Sequence, residues 1–163
     1  MIRLVPMTEQ EFRDYKTQAI EDYAREHVKA GHWDPSEALE KSAREFDHLL
    51  PAGVTSPGQH LFTIQEVESG GKVGIVWFAA LSKSLPPFAF IYDFIIYENH
   101  RRKGYGAQAL KGVEQEAKKL GLKQVGLHVF AHNQNAIDLY TRAGFKITDL
   151  NMVKEIAEDP LEK

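Results

Sequence analysis

The stretch Tyr92–Leu110, YDFIIYENHRRKGYGAQAL, constrains this chain more than any other. A nearly unbroken apolar run, Phe88 to Tyr97, stops at the turn Arg101-Arg102-Lys103-Gly104-Tyr105-Gly106, and an apolar stripe with helical spacing begins behind it. So dense an apolar run reads as a central strand covered on both faces. The two glycines remove side chains where the backbone turns, and the first N–H groups of a helix have no partner within it. Such amides, at the positive end of a helix, attract phosphate. Taken alone, the hexapeptide also reads as an ordinary tight turn with a solvated basic cluster. Two other phosphate motifs are excluded. Gly-x-Gly-x-x-Gly from Gly104 would need a glycine where Ala109 stands, and no Gly-Lys-Ser/Thr follows.

The rest of the chain reads as elements that could support such a turn. Ile2–Val5 is a short strand closed by Pro6. Thr8 and Glu11 have capping-box spacing, and Phe12, Tyr15, Ala19 and Tyr23 lie on one side of a helix that runs to about Lys29. Asp34-Pro35-Ser36-Glu37 predicts a second helix start, with Asp34 as its cap and Leu39, Ala43, Phe46 and Leu50 as its apolar stripe. His60–Glu68 and Lys72–Leu81 form a hairpin around Ser69-Gly70-Gly71. The helix after the basic turn uses Leu110, Val113, Ala117 and Leu120. Gln124–Phe130 predicts a strand, Asn133–Ala143 a helix, Lys146–Ile156 a last strand, and the residues beyond it a loose tail. The order implies an α/β fold. Its sheet is mixed and mostly antiparallel, has helices on both faces, and contains one parallel pair joined by a right-handed crossover. The 163 residues fit one domain, 1–163, long enough to bury roughly 70% of the surface an unfolded chain exposes.

Composition then narrows the chemistry. The chain has no cysteine, which removes disulfides, thiolate metal ligands and a cysteine nucleophile. His27 and His32 are five apart, off a single helical face, and the other histidines show no ligand spacing, so no metal is predicted. A net charge of -3 argues against a dedicated nucleic-acid partner. No apolar run reaches the ~18 residues of a membrane span. The start, MIRLVPMTEQEF, lacks a secretory apolar region. The expectation is a cytoplasmic protein with no membrane partner.

A second motif makes the reading specific. Asn133-x-x-Ala136-x-x-Leu139-Tyr140-x-x-x-Gly144-Phe145 follows the Arg-x-x-Gly-x-Gly turn by about thirty residues. Together the two motifs resemble the GNAT superfamily of N-acetyltransferases, and the element order is similar over nearly the whole chain. The phrase Gly126–Gln134, GLHVFAHNQ, further resembles small uncharacterised bacterial members. The resemblance implies a GNAT-like sheet with a splayed central parallel strand pair and acetyl-coenzyme A (acetyl-CoA) held in the splay. The pyrophosphate would rest on main-chain N–H groups of Arg102, Lys103, Gly104, Tyr105, Gly106 and Ala107, with Arg101 beside them adding positive charge to the cofactor site. The pantetheine arm would pair with the strand edge at Ile95 and Ile96, as an added strand does, with Asn133 on its other side. Tyr140 stands where the family often places a tyrosine that donates to the departing sulfur. Glu98 departs from a proline the family often carries.

The chemistry asks for such groups. An alkyl amine with a pKa near 10.4 is scarce as free base at pH 7, by roughly 4.6 kcal/mol. A base or a water chain must take its proton. His128 and Asp93 are the candidates: imidazole titrates in the useful range, and a carboxylate in an apolar strand is pushed up into it. His128 alternates with Leu127 and Val129 along its strand and so faces the other side. Without cysteine, the expected route is direct attack by a primary amine. A non-catalytic acyl-CoA-binding sensor or scaffold module is the alternative. Tyr23–Trp33, with His27, His32 and Trp33, is the expected acceptor-side wall for a small-molecule or peptide amine. The open end of the sheet admits a homodimer.

Overall fold

The computed structural model describes residues 1–160. Its elements in order are β1 (Ile2–Pro6), α1 (Glu9–Lys29), α2 (Ala38–Leu49), β2 (Gln59–Glu66), β3 (Lys72–Leu81), β4 (Phe88–Ile96), α3 (Tyr105–Lys119), β5 (Gln124–Leu127) and α4 (Gln134–Arg142). The sheet runs β1-β2-β3-β4-β5, antiparallel except for the parallel β4–β5 pair. That pair with α3 between its strands is the β-α-β unit expected around the basic turn. The fold is the mixed α/β sheet with helices on both faces that the sequence implies.

Two cores flank the sheet. On one face Ala109, Leu110, Val113 and Ala117 of α3 meet Ile64, Val76, Phe78 and Ile91. On the other, Phe12 and Ala19 of α1 and Phe46 of α2 meet Ile75 and Trp77. The Thr8–Glu11 capping box forms as predicted: the Thr8 hydroxyl accepts from the Glu11 amide at 3.2 Å, and the Glu11 carboxylate accepts from the Thr8 amide at 2.8 Å. Gly74 allows β3 and β4 to approach, because a Cβ there would sit 2.1 Å from the Ile95 carbonyl oxygen.

Several expectations are corrected. Asp34–Glu37 is a turn, closed by the Asp34 carboxylate accepting from the Ser36 amide and hydroxyl, and helix starts at Ala38. The face α2 buries is therefore Ala38, Ser42 and Phe46, and Leu39 is exposed. Ser42 tolerates burial because its hydroxyl donates to the Ile20 carbonyl at 2.7 Å. Leu120 is exposed past the end of α3. Strand β4 is not covered on both faces; Tyr92 is exposed, since the strand borders a cleft. Strand β5 stops at Leu127 rather than Phe130. No strand forms over Lys146–Ile156, which is exposed and irregular. Of the expected loose tail beyond Ile156, residues 157–160 have no regular structure, and 161–163 lie outside the described residues.

Candidate active site

The cleft begins where the parallel pair parts. Registered pairing of β4 with β5 runs from Phe88–Gln124 to Ile91–Leu127 and ends there. Strand β4 continues to Ile96, while the other chain leaves toward α4. The opening, about 1930 Å³, is bordered by Ile95 and Ile96, the turn at Arg101–Ala107, and Asn133 to Tyr140. It exceeds the roughly 300–1,000 Å³ of an ordinary small-molecule pocket and extends without a break to α1.

At one end sits the basic turn. Arg102 has φ 61° and Gly104 φ 78°, and Arg102 is the sole non-glycine with positive φ among the described residues. That conformation costs a residue bearing a Cβ about 1–2 kcal/mol and tends to persist where function holds it. No side chain caps α3. Its hydrogen bonding begins with the Gln108 amide donating to the Gly104 carbonyl at 3.2 Å, so the amides of Tyr105, Gly106 and Ala107 precede it. Gly106 lets α3 close on α4: a Cβ there would meet the Leu139 methyls at 3.0 and 3.4 Å. Arg101 Nε donates to the Ile96 carbonyl at 3.0 Å, which ties the turn to the end of β4. Two predicted positions differ in detail. Tyr105 buries its ring in the core and gives its hydroxyl to Glu66, so it offers the cleft its backbone. Lys103 is exposed and is not among the residues that border the cleft.

The middle of the cleft holds Asp93 and Tyr140. A bulge in β4 sets the direction of Asp93. Trp77 pairs with Asp93 but Phe78 with Ile91, so Tyr92 is extra. Tyr92 and Asp93 then both turn toward α1: the Tyr92 ring stacks on Trp77 at 4.7 Å, and Asp93 meets Tyr15. Asp93 Oδ2 accepts from the Tyr15 hydroxyl at 2.7 Å, and Oδ1 accepts from the Phe94 amide at 2.9 Å. Burial pushes the Asp93 carboxyl up to about 6, with Asp22 adding to the rise and the two hydrogen bonds opposing it. Burial, and then the charge of Asp93, pushes the Tyr140 hydroxyl up to about 12. Its ring lies beside Phe94 and Phe145.

The α1 end is aromatic. His27 stacks on Trp33 at 4.0 Å and meets Tyr23 and Phe130 edge-on. His27 Nδ1 lies 3.1 Å from His32 Nδ1, while its Nε2 is buried with no hydrogen-bond partner. Burial and the neighbouring His32 hold the His27 imidazole below its usual range. His132 pairs with Glu26 and stacks on Phe130. His128 packs edge-on against Phe130 but is exposed beyond the end of β5, so strand alternation does not set its direction. Among the described residues, no three His, Cys, Asp or Glu side chains are placed to hold a metal.

Sequence reasoning brought together Asp93, Tyr140, Asn133 and the turn, but missed Tyr15, Phe130, Glu26 and His132. Tyr15 left a trace: a tyrosine within a buried helical face needs a partner for its hydroxyl. The pairing of Glu26 with His132, 106 residues apart, left none.

A five-stranded mixed sheet split between its parallel strands, with an uncapped helix at the split, defines the class: this is an N-acetyltransferase scaffold. The model of the acetyltransferase (GNAT) family matches residues 18–145, and the chain belongs to that family. It is 44% identical to the uncharacterized N-acetyltransferase YycN of Bacillus subtilis strain 168 over 95% of this chain and 99% of that one. It is 33% identical to YdgE of the same strain, another uncharacterized N-acetyltransferase, over 94% and 97%. The YycN crystal structure superposes with a TM-score of 0.91, covering 97% of this chain and 100% of its own. An acetyl transferase from Pyrococcus furiosus, at 24% identity and a TM-score of 0.69, shares the fold over 96% of this chain. No helix among the described residues is long and apolar enough to cross a membrane.

Proposed function

We propose that the protein transfers an acetyl group from acetyl-CoA to the primary amine of a small molecule or peptide, by direct attack without an acyl-enzyme. The observation that carries this reading is the cleft between β4 and β5, with the uncapped start of α3 at one end and Asp93 in its middle. The residues present fit the co-substrate. The amides from Arg102 to Ala107 would hold the pyrophosphate, with Gly104 at φ 78° making the left-handed turn that leads into them. On the side away from β3, the edge of β4 beyond Ile91, where Ile95 and Ile96 stand, has no strand partner among the described residues and suits a pantetheine arm. The side chain of Asn133 is not spent on capping α4 and would approach that arm from the far wall.

Acetyl-CoA supplies the activated acyl group; the chain supplies proton handling and orientation. Asp93 takes the proton of the incoming amine. A carboxyl held up near 6 is still ionised at neutral pH, yet more basic than an ordinary aspartate. His128, exposed at the rim, suits the acceptor end better than the reaction centre. Tyr140, held up at about 12, stays protonated at neutral pH, so its hydroxyl remains available to stabilise the leaving sulfur by a hydrogen bond. The wall of Tyr23, His27, Trp33 and Phe130 fits the flank of a cationic amine. A cysteine-free enzyme fed by acetyl-CoA suits the cytoplasm.

The test is a thiol-release screen of the purified protein with acetyl-CoA against a panel of primary amines. Release of free thiol that depends on both the amine and Tyr140 is expected. No release with any amine, together with an unchanged melting curve in millimolar acetyl-CoA, would overturn the reading.

A further inference from the structure

Charge divides the cleft. Where the basic turn, α3 and α4 border it, arginines and lysines outnumber carboxylates. Where α1 and α2 border it, Asp22, Glu26 and Glu45 outnumber Arg25. Two of those three carboxylates are engaged: Asp22 pairs with Arg25 at 3.0 Å, and Glu26 pairs with His132. Glu45 has no cationic partner among the described residues. Its neighbours on α2 are held elsewhere, Lys41 by Glu37 at 2.9 Å and Arg44 by Glu40 at 2.7 Å.

The surroundings of Glu45 are aromatic. Phe46, the next residue on α2, is buried, with the Tyr23 ring 6.0 Å and the Trp77 ring 5.6 Å from its own. Trp77 in turn carries the Tyr92 ring at 4.7 Å. Tyr23 and Tyr92 are thus joined by one run of packed rings, and both border the cleft. Tyr92 stays 38% exposed there, as the extra residue of the β4 bulge. Burial raises both tyrosine hydroxyls, and the charge of Glu45 raises both further, so the carboxylate stands near each. A carboxylate flanked by aromatic rings favours a cation twice over, through charge and through the ring quadrupole. A neutral tail would gain neither, and a carboxylate tail would be repelled.

We propose that the acceptor is an aliphatic diamine or polyamine: the amine that is acetylated stands beside Asp93, and a second ammonium group rests on Glu45 between the rings of Tyr23 and Tyr92. The inference rests on the acetyl-transfer reading and narrows its acceptor from primary amines at large to molecules with two ammonium groups. In the step itself the amine nitrogen bonds to the thioester carbonyl carbon and the carbon–sulfur bond breaks. The attacking ammonium group loses two protons: one leaves through Asp93, and the other ends on the sulfur of coenzyme A. The second ammonium group keeps its protons throughout and serves to orient.

The test compares kcat/KM, read by thiol release, across three sets of acceptors of equal chain length. These are putrescine and cadaverine, butylamine and pentylamine, and the corresponding amino alcohols. The diamines should exceed the other two sets by roughly tenfold or more, beyond the advantage that two equivalent amines give by statistics alone. Glu45→Gln, at an exposed position of α2, should bring the diamine and monoamine values together at an unchanged melting temperature. Glu45→Lys should turn the preference toward an amine with a carboxylate tail, such as γ-aminobutyrate. Monoamines used as well as diamines would overturn the proposal and leave acetyl transfer standing, as would a diamine preference that survives Glu45→Gln. No thiol release with any of these amines or with a wider amine panel would overturn acetyl transfer, and this inference with it.

Discussion

Asp93, the proposed base, illustrates what burying one carboxyl costs in stability. Its carboxyl is raised from 3.8 to about 6, chiefly by burial. The native state therefore binds more protons than the unfolded state between those values, and stability falls as pH rises through that window, by up to about 3 kcal/mol. Above about pH 7 the loss is complete and constant. Asp93→Asn should therefore raise the melting temperature at pH 7.5 relative to the parent, gain little at pH 4, and lose most of kcat/KM. In the parent, kcat/KM should fall about tenfold per unit below pH 6. If Asp93 is the base, Tyr15 should tune this limb. Its hydrogen bond favours the ionised carboxylate, so Tyr15→Phe should move the acid limb to higher pH, visible in a full pH profile. An unmoved limb would mean that Tyr15 only packs. Tyr140→Phe should lower kcat by roughly 100-fold, the cost of losing one donor at a developing negative charge. Acetyl-CoA affinity, read by calorimetry, should change far less.

At the scale of elements, the turn between β4 and α3 and the spacing of β3 from β4 matter most. The turn is expected to hold phosphate through its amides more than its side chains, because Arg101 is tied to Ile96 and Lys103 does not border the cleft. Gly104 sits at φ 78°, which proline cannot adopt. Gly104→Pro should abolish acetyl-CoA binding, whereas Arg102→Ala should only weaken it; equal losses in a titration would refute that division. Gly74→Ala tests the other junction. Its Cβ would meet the Ile95 carbonyl of β4, a backbone atom that cannot turn aside. A loss of about 2–3 kcal/mol in chemical unfolding is expected, with weaker co-substrate binding because β4 forms the cleft wall. Much of this was legible beforehand. Helix α1, the hairpin, β4, α3 and α4 were readable from apolar period, capping residues and glycine punctuation. The start of α2 was not, because Asp34 and Ser36 satisfy a turn as readily as a cap. The strand expected at Lys146–Ile156 was misread because its strand-forming residues have no partner within the described chain.

The whole molecule is a sheet with two cores and a cleft where its parallel strands part. Ligand at about 100 times its Kd should stabilise the fold by roughly 2.7 kcal/mol, a melting shift of several degrees. Acetyl-CoA should produce that shift, and coenzyme A lacking its pyrophosphate portion should not. By itself the sequence determined the class of fold, the place of the glycine turn at the start of α3 and the presence of Tyr140 on the last helix. These are local matters: the period of apolar residues, the conformations open to glycine, and the order of elements that a short chain must follow. Only the tertiary structure decided which groups meet. The bulge at Tyr92 turns Asp93 toward Tyr15, 78 residues away. The parting of β4 from β5 gives the cleft its depth, and the packing of α1 against the far chain gathers His27, Trp33 and Phe130. Those contacts depend on strand register and on how helices settle across a sheet. Both are fixed by burial summed over the whole chain, which no single stretch of sequence records.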